Sequence, residues 1–228
     1  MARLTERFFM GGNPTDVETL FIMESPGKCE LVCDYACVGL TGNVMSKYLC
    51  ANDSVPLGCY LKNGYEKKYA IFETFMFPIE KRWQNSDNDE FEQNMSNIKE
   101  IDNNFTDDSS RQEHYEGLNI FWNESPFLKE KKEFVNQYKK DLKKIVSLHN
   151  IKEIVVCGYI AQSCFMQAFI PGGFQNGFPP YGYFFNISKT KKPRLYFSNH
   201  PSVELHKKSK KKWKYGCDYI CGKILIGK

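Results

Sequence analysis

Two short apolar segments, near opposite ends of the chain, each stop at a polar turn. Residues 20–23 lead directly into Glu-Ser-Pro-Gly at 24–27, and residues 194–198 lead into Asn-His-Pro-Ser at 199–202. Each pattern is typical of a β-strand that ends abruptly, because Pro and Gly favour a turn over further strand. In open α/β sheets, ligands bind to the loops at the carboxyl ends of parallel strands. The two turns are therefore the first candidates for a binding site.

The segment between the two turns alternates strand-like and helix-like patterns. Residues 69–79 and 118–122 are predicted as strands, and the apolar positions of residues 130–149 recur as in an amphipathic helix. Residues 151–157 are rich in β-branched side chains, as in a strand buried on both faces, and a helix is predicted over 160–169. Strands that alternate with helices predict an α/β fold, here a three-layer α/β/α sandwich with a central, mostly parallel sheet.

The length of the chain and one segment of unusual composition define the expected domain organisation. A chain of 228 residues can bury a substantial core, and we expect a single domain over residues 1–228. Residues 85–116 contain six asparagines and ten acidic side chains against one lysine and one arginine. A segment so poor in large apolar groups predicts an acidic, Asn-rich surface insertion.

The net charge of +4 hides an uneven distribution. Without the acidic insertion, the rest of the chain carries a net charge of +12, and lysine is concentrated in the C-terminal third. A surface this basic favours a polyanionic partner such as a nucleic acid, although lysine-rich helices are also found simply solvated. Charge alone leaves both interpretations open.

The sequence also disfavours several classes of protein. Because there is no apolar stretch of about 18 residues and no signal-peptide pattern near Met1, we expect an intracellular protein, cytoplasmic or nuclear if eukaryotic, without a membrane association. The nine cysteines are then expected to be reduced thiols. The spacings of Cys29, Cys33 and Cys37 match neither a zinc site nor an iron–sulfur site, so we expect no metal and no other cofactor.

Several segments, taken in order along the chain, resemble motifs of the uracil-DNA glycosylase superfamily. Residues 24–27 are similar to its first motif, Gly-Glu-Ala-Pro-Gly, with Met23 in place of the leading glycine. Residues 38–42 (Val-Gly-Leu-Thr-Gly) resemble the Val-Gly-x-Ala-Gly of the thermostable, bacterial-type members, which also carry an acid where this chain has Glu30. Residues 200–202 resemble the C-terminal His-Pro-Ser motif.

Two further segments extend the resemblance to about half of the chain. Asn123, which is followed by a proline and an aromatic residue, is similar to a strand-ending Asn of some branches, and residues 151–165 resemble a strand-Gly-x-x-Ala-helix unit. The chain departs from the family at two places. No cysteine precedes Cys29, so the iron–sulfur ligands of the thermostable branch are missing. The family's base-stacking Phe is replaced by Cys37, with Tyr35 two residues away, which favours a roomier pocket.

The resemblance implies an enzyme that flips a base out of DNA and hydrolyses its N-glycosidic bond. It assigns to His200 the hydrogen-bond donor that stabilises the departing base. A carboxylate that orients water and opposes the oxocarbenium charge is expected at Glu30, with Glu24 as the second choice. Asn123 is expected to pair with the Watson–Crick edge of the base. The remaining candidates for substrate binding are Glu24, Ser25, Pro26, Gly27, Tyr35 and Cys37.

The residues that follow the His-Pro-Ser motif carry six lysines between positions 206 and 214. In relatives, the loop after this motif enters the DNA at the flipped site, so the resemblance favours phosphate contacts here. A solvated helix end and a nuclear-localisation signal would have the same composition. The expected DNA-binding residues are Ser202, Lys207, Lys208, Lys210, Lys211 and Lys212.

These observations predict a monomeric, monofunctional DNA glycosylase that acts on an altered pyrimidine, most simply uracil, in single- or double-stranded DNA. No lysine stands at a motif position as an amine nucleophile, so we expect an abasic site without strand cleavage. One alternative is excision of a larger hypermodified base from viral DNA, as in antiviral defence. Another is a non-catalytic module that binds altered DNA. An enzyme is favoured if Glu30 and His200 line one cleft, and a binding module if they diverge.

Overall fold

The computed structural model describes residues 3–52, 54–80, 89–104, 111–170, 183–187 and 191–205. The strands are β1 (Phe8–Met10), β2 (Thr19–Met23), β3 (Tyr69–Glu73), β4 (Glu153–Cys157), β5 (Tyr183–Phe184) and β6 (Arg194–Ser198). They form one sheet in the order β1-β3-β2-β4-β6-β5. Strands β3, β2, β4 and β6 are parallel to one another, whereas β1 pairs antiparallel with β3 and β5 pairs antiparallel with β6 at the two edges. The predicted α/β fold with a mostly parallel sheet is confirmed.

Helices cover both faces of this sheet. They are α1 (Lys28–Cys33), α2 (Leu40–Leu49), α3 (Leu57–Lys62), α4 (Glu90–Met95), α5 (Asn97–Asn103), α6 (Arg111–Asn123), α7 (Leu128–Leu148) and α8 (Tyr159–Phe169). A 3₁₀ helix, Pro201–Leu205, follows β6. None of the helices in these ranges is long and apolar enough to cross a membrane.

The alternation of side chains along β2 shows how the three layers arise. Leu20 and Ile22 point into an apolar cluster built with α4 to α8, whereas Phe21 and Met23 point into a second cluster built with α2 and α3. Every residue of β2 is buried, as expected for a central strand with helices on both faces. The sheet is therefore the middle layer of an α/β/α sandwich.

The strand predicted over residues 118–122 is wrong, because these residues lie in α6. Leu118, Phe121 and Trp122 are buried at helical spacing, while Ile120 between them is 53% exposed. A short apolar run does not by itself distinguish a strand from a buried helix, and only the spacing of the buried positions does so. Asn123 therefore stands at the end of a helix and not at the end of a strand.

The segment expected as a surface insertion, residues 85–116, contributes to the core where it is described. Helices α4 and α5 lie within it, and Met95 and Ile98 are fully buried against the sheet. The apolar residues of this part are few, but they are spaced three or four apart and so share one helix face. Amino-acid composition alone did not reveal this buried helix face.

The order of the parallel strands creates a topological switch point between β2 and β4. From β2 the chain passes through α1 to α3 and reaches β3 on one side. From β4 it passes through α8 and reaches β6 on the other side. Where connections diverge in this way, a crevice opens at the carboxyl ends of the two strands, and open α/β sheets bind their ligands there.

Candidate functional site

The carboxyl edge of the sheet holds a pocket of about 390 Å³. Its walls come from the turn after β2, from α1 and the start of α2, from the end of β3, from α5, and from the 3₁₀ helix after β6. The volume lies within the roughly 300–1,000 Å³ that is usual for small-molecule sites. The lining side chains able to bond a ligand are Glu24, Ser25, Lys28, Cys29, Glu30, Cys37, Thr41, Glu73, Glu80, Lys99, His200 and Ser202. Four of these twelve side chains are carboxylic acids.

Glu24 begins the turn after β2 and is 6% exposed. Its carboxylate lies against Gly158, which begins α8 at the end of β4 with φ +88°. A Cβ atom at residue 158 would overlap Glu24 Oε1, so only glycine permits this approach. Glu24 Oε2 accepts a hydrogen bond from Lys99 Nζ at 3.4 Å. The carboxylate is therefore held at the switch point by backbone on one side and by a cation on the other.

Lys99 connects the pocket to a polar network on α5 and α6. Its Nζ also lies 3.4 Å from Asp102 Oδ2, and Asp102 Oδ1 lies 3.5 Å from His114 Nδ1. The His114 ring stacks on Tyr159 at 4.0 Å between centroids. The Glu24 carboxylate, despite burial of the amine, raises the pKa of Lys99, which keeps this side chain charged. Lys99 thus supplies a fixed positive charge beside the pocket.

Glu30 lies in the first turn of α1 and is 8% exposed. Its Oε1 accepts a hydrogen bond from the backbone N–H of Gly39 at 3.1 Å. A Cβ at Gly39 would lie 3.1 Å from the same oxygen, a tight contact that glycine avoids. A backbone hydrogen bond therefore orients the Glu30 carboxyl at the pocket.

His200 follows β6 and is partly buried at the pocket. Ser202 donates its backbone N–H to His200 Nδ1 at 3.3 Å, and its hydroxyl lies 2.7 Å from the same nitrogen. A ring nitrogen that accepts a hydrogen bond carries no proton, so the neutral imidazole holds its proton at Nε2. Burial, together with the charge of Lys99, lowers the pKa of His200 against the opposing influence of Glu24. A lowered pKa favours the neutral imidazole.

Glu73 is a pocket residue that the sequence analysis missed. It is the last residue of β3 and is 2% exposed. Burial raises its pKa well above the ordinary value, and the nearby Glu30 and Glu24 carboxylates raise it further. The sequence offered only a weak signal, because Glu73 falls inside the longer strand predicted over residues 69–79. Lys99 was missed for a related reason, since the acidic segment that contains it was assigned to the surface.

The other predicted substrate-binding residues divide into two groups. Ser25, Gly27 and Cys37 line the pocket, and Cys37 is buried with φ +53°. Pro26 is buried in the same turn but does not line the pocket, and neither does Tyr35. The Tyr35 hydroxyl donates to the Met10 carbonyl at 3.3 Å and its ring packs on Phe9, so it fastens the segment after α1 to β1. Burial raises the pKa of Tyr35 to about 12.

Asn123 is not brought to the pocket. It is exposed at the end of α6, and its amide donates to the Asn119 carbonyl at 2.8 Å, one turn earlier in the same helix. His114, near the start of α6, stacks on Tyr159 at the carboxyl edge of the sheet. Because nine helical residues separate them, Asn123 lies on the order of 13 Å farther along the helix. The expectation that Glu24, Asn123 and His200 share one edge is therefore wrong for Asn123.

The predicted DNA-binding residues are only partly described. Ser202 lines the pocket beside His200. Lys207, Lys208, Lys210, Lys211 and Lys212 lie outside the described residues. Within the described ranges, no group of three or more His, Cys, Asp or Glu side chains is arranged to hold a metal ion.

A scan of the chain against protein-family models finds no match, and a search among curated proteins finds none either. Functional interpretation therefore rests on the geometry of the pocket and on the motifs that line it.

Proposed function

We propose that this protein is a DNA glycosylase of the uracil-DNA glycosylase type. In this proposal it hydrolyses the N-glycosidic bond of a flipped-out altered pyrimidine, most simply uracil, and leaves an abasic site. One observation carries the proposal: Glu24 and Glu30, from the turn after β2 and the helix that follows it, line a single pocket with the distant His200, at the switch point of a mostly parallel α/β sheet. A non-catalytic binding module would be favoured if Glu30 and His200 lay apart, but both line this pocket.

His200 suits the role of stabilising the departing base. Cleavage of the glycosidic bond leaves negative charge on a base oxygen, and a donor aimed at that oxygen lowers the barrier. The Ser202 contacts leave the imidazole proton at Nε2, and the lowered pKa of His200 keeps the ring neutral. A neutral donor can stabilise a developing anion without transferring its proton to it.

Glu30 is the stronger candidate for orienting the water. Its Oε1 is held by the Gly39 N–H, which aligns the carboxyl and leaves Oε2 as the atom to orient a nucleophile. Glu24, by contrast, is engaged by Lys99, so part of its charge is compensated within the protein. Both carboxylates oppose the positive charge that develops on the sugar, as carboxylates do in glycoside hydrolysis.

The size and lining of the pocket also affect which base can bind. At about 390 Å³ it can take a base, and the small side chain of Cys37 stands where the family resemblance leads us to expect a stacking aromatic ring. A larger modified pyrimidine is therefore the second candidate substrate. In either case the partner is DNA, and the protein acts as a monomer where DNA is found, in the cytoplasm or the nucleus.

The proposal is tested with purified protein and oligonucleotides that carry a panel of single altered bases. Alkali then converts each abasic site into a strand break that a gel resolves. We expect cleavage of at least one altered pyrimidine, and strong loss of cleavage with Glu30→Gln and His200→Ala. Glu133→Gln on α7, whose side chain is 67% exposed, is the matched control and keeps full activity. Binding of altered DNA without cleavage would favour the binding module, and the absence of both would refute the proposal.

A further inference from the structure

The pocket contains one buried acid that the proposed mechanism does not use. Glu73 ends β3 in register with Met23 at the end of β2, beside the turn that carries Glu24. Its Oε2 is buried and has no hydrogen-bond partner among the described residues. A buried polar atom without a partner costs free energy, so in a native structure it calls for an explanation, such as a catalytic role or a bound ligand, water or ion. Glu73 is one of the residues that line the pocket.

The charged groups around Glu73 come from several elements. Glu24 after β2 and Glu30 on α1 oppose its ionisation, whereas Arg7 from the N-terminal segment favours it. The thiols of Cys37 and Cys157 face the same carboxyl. The other titratable groups of the pocket wall are Lys28, Cys29, Glu80, Lys99 and His200. Burial is the largest influence, and the two acids outweigh the single arginine, so the carboxyl keeps its proton well above the ordinary pKa of a glutamate.

We propose that Glu73 recognises the base through two hydrogen bonds, one donated by a carboxyl oxygen and one accepted by the other. The matching ligand is a heterocycle whose edge presents an acceptor beside a donor. Uracil offers a carbonyl oxygen beside a ring N–H, and cytosine offers a ring nitrogen beside its exocyclic amine. This inference rests on the proposed function, since it assumes that the pocket takes a base. It gives to Glu73 the role that the sequence analysis gave to Asn123.

Binding of the free base tests this role separately from catalysis. Uracil is titrated into the wild-type protein and its variants over a range of pH, with binding followed by NMR chemical shifts. We expect Glu73→Ala to weaken binding roughly 10- to 100-fold, because two hydrogen bonds are lost. Glu73→Gln keeps both a donor and an acceptor, and so retains most of the affinity. The matched control is Glu153→Gln, at the opposite edge of the sheet on β4, which binds like the wild type.

The pH dependence is the readout that a merely structural role would not change. Wild-type affinity should fall as the pH rises through the pKa of Glu73, because the ionised carboxylate has lost its donor. The affinity of Glu73→Gln should not fall in this way. Because uracil itself also titrates, its contribution is removed by comparing the wild type with Glu73→Gln at each pH. Wild-type affinity for Glu73→Ala, or an unchanged pH dependence in Glu73→Gln, would overturn the inference.

Failure of this inference and failure of the proposed function are distinguishable. If the wild type cleaves a base in the oligonucleotide panel but Glu73→Ala binds that base normally, only the role of Glu73 is refuted. If the wild type neither binds a base nor cleaves any oligonucleotide, both proposals fail together. Circular dichroism verifies that the variants fold, and Glu73→Gln, which preserves shape, decides the question if Glu73→Ala does not fold.

Discussion

The carboxylate of Glu24 lies directly against the backbone of Gly158, so the Glu24 side chain packs on the start of α8, where residue 158 has no side chain of its own. This contact joins the two strands of the switch point, β2 and β4, at the edge where the pocket opens. Lys99 approaches the same carboxylate from α5. The backbone at Gly158 and the Lys99 cation therefore fix the position of Glu24 together.

The first prediction concerns this contact. We expect Gly158→Ala to lower the free energy of unfolding by roughly 2–4 kcal/mol, because φ is +88° and the new Cβ overlaps the Glu24 carboxylate. Gly64→Ala is the matched control, since φ there is +70° but a Cβ would meet only the Gly11 carbonyl, at 3.3 Å. It should cost about 1–2 kcal/mol. Chemical denaturation measures both, and equal losses would contradict the importance of the Glu24 contact.

The second prediction concerns the cation of the network. Lys99→Met removes the partner of Glu24 and Asp102, so we expect stability to fall by roughly 1–3 kcal/mol, less than for a fully buried pair because Lys99 is 25% exposed. Lys99 lowers the pKa of His200, so the same variant should raise the pKa of His200. An NMR titration measures this change. Lys129→Met is the control, as this side chain is 83% exposed on α7. An unchanged His200 pKa would contradict the coupling.

The third prediction concerns the buried acid. The folded-state pKa of Glu73 lies above its unfolded value, so the folded protein binds a proton more tightly and loses stability as the pH rises between the two. Relative to Glu73→Gln, the wild type should lose about 1.4 kcal/mol per pH unit in this window, which begins near pH 4.3. Urea denaturation at several pH values measures the difference. A constant difference across the window would contradict the raised pKa.

The sequence predicted those parts of the site that depend on local signals. Glu24 and His200 were placed correctly at strand ends because an apolar strand and its turn are contiguous in sequence. Asn123 was misplaced because a short apolar run fits both a strand and a helix. Glu73 and Lys99 reach the pocket only through tertiary packing, since neither stands in a turn motif. The three-layer architecture was predictable from the sequence, whereas the part of the pocket formed by Glu73 and Lys99 was not.

The fourth prediction concerns DNA affinity. Replacing Lys207, Lys208 and Lys210 with alanine should weaken binding to DNA of any sequence. It should also flatten the log–log dependence on salt by about one unit per lost phosphate contact. Fluorescence anisotropy over a series of salt concentrations measures the slope. Replacing three lysines of α7, Lys139, Lys140 and Lys143, provides a control of equal charge. An unchanged slope in the first variant would assign its lysines to solvation.

The fifth prediction concerns the chemical step. His200→Ala should reduce the single-turnover rate of base excision by a factor on the order of 10²–10³, with little change in DNA binding, because the lost donor acts mainly in the transition state. Since the pKa of His200 lies below its ordinary value, the wild-type rate should hold as the pH falls through about 6.5 and decline only below it. Ser202→Ala, which removes the hydroxyl beside Nδ1, should reduce the rate less than His200→Ala. Full activity of His200→Ala would refute the role of this histidine even if the fold and the pocket are correct.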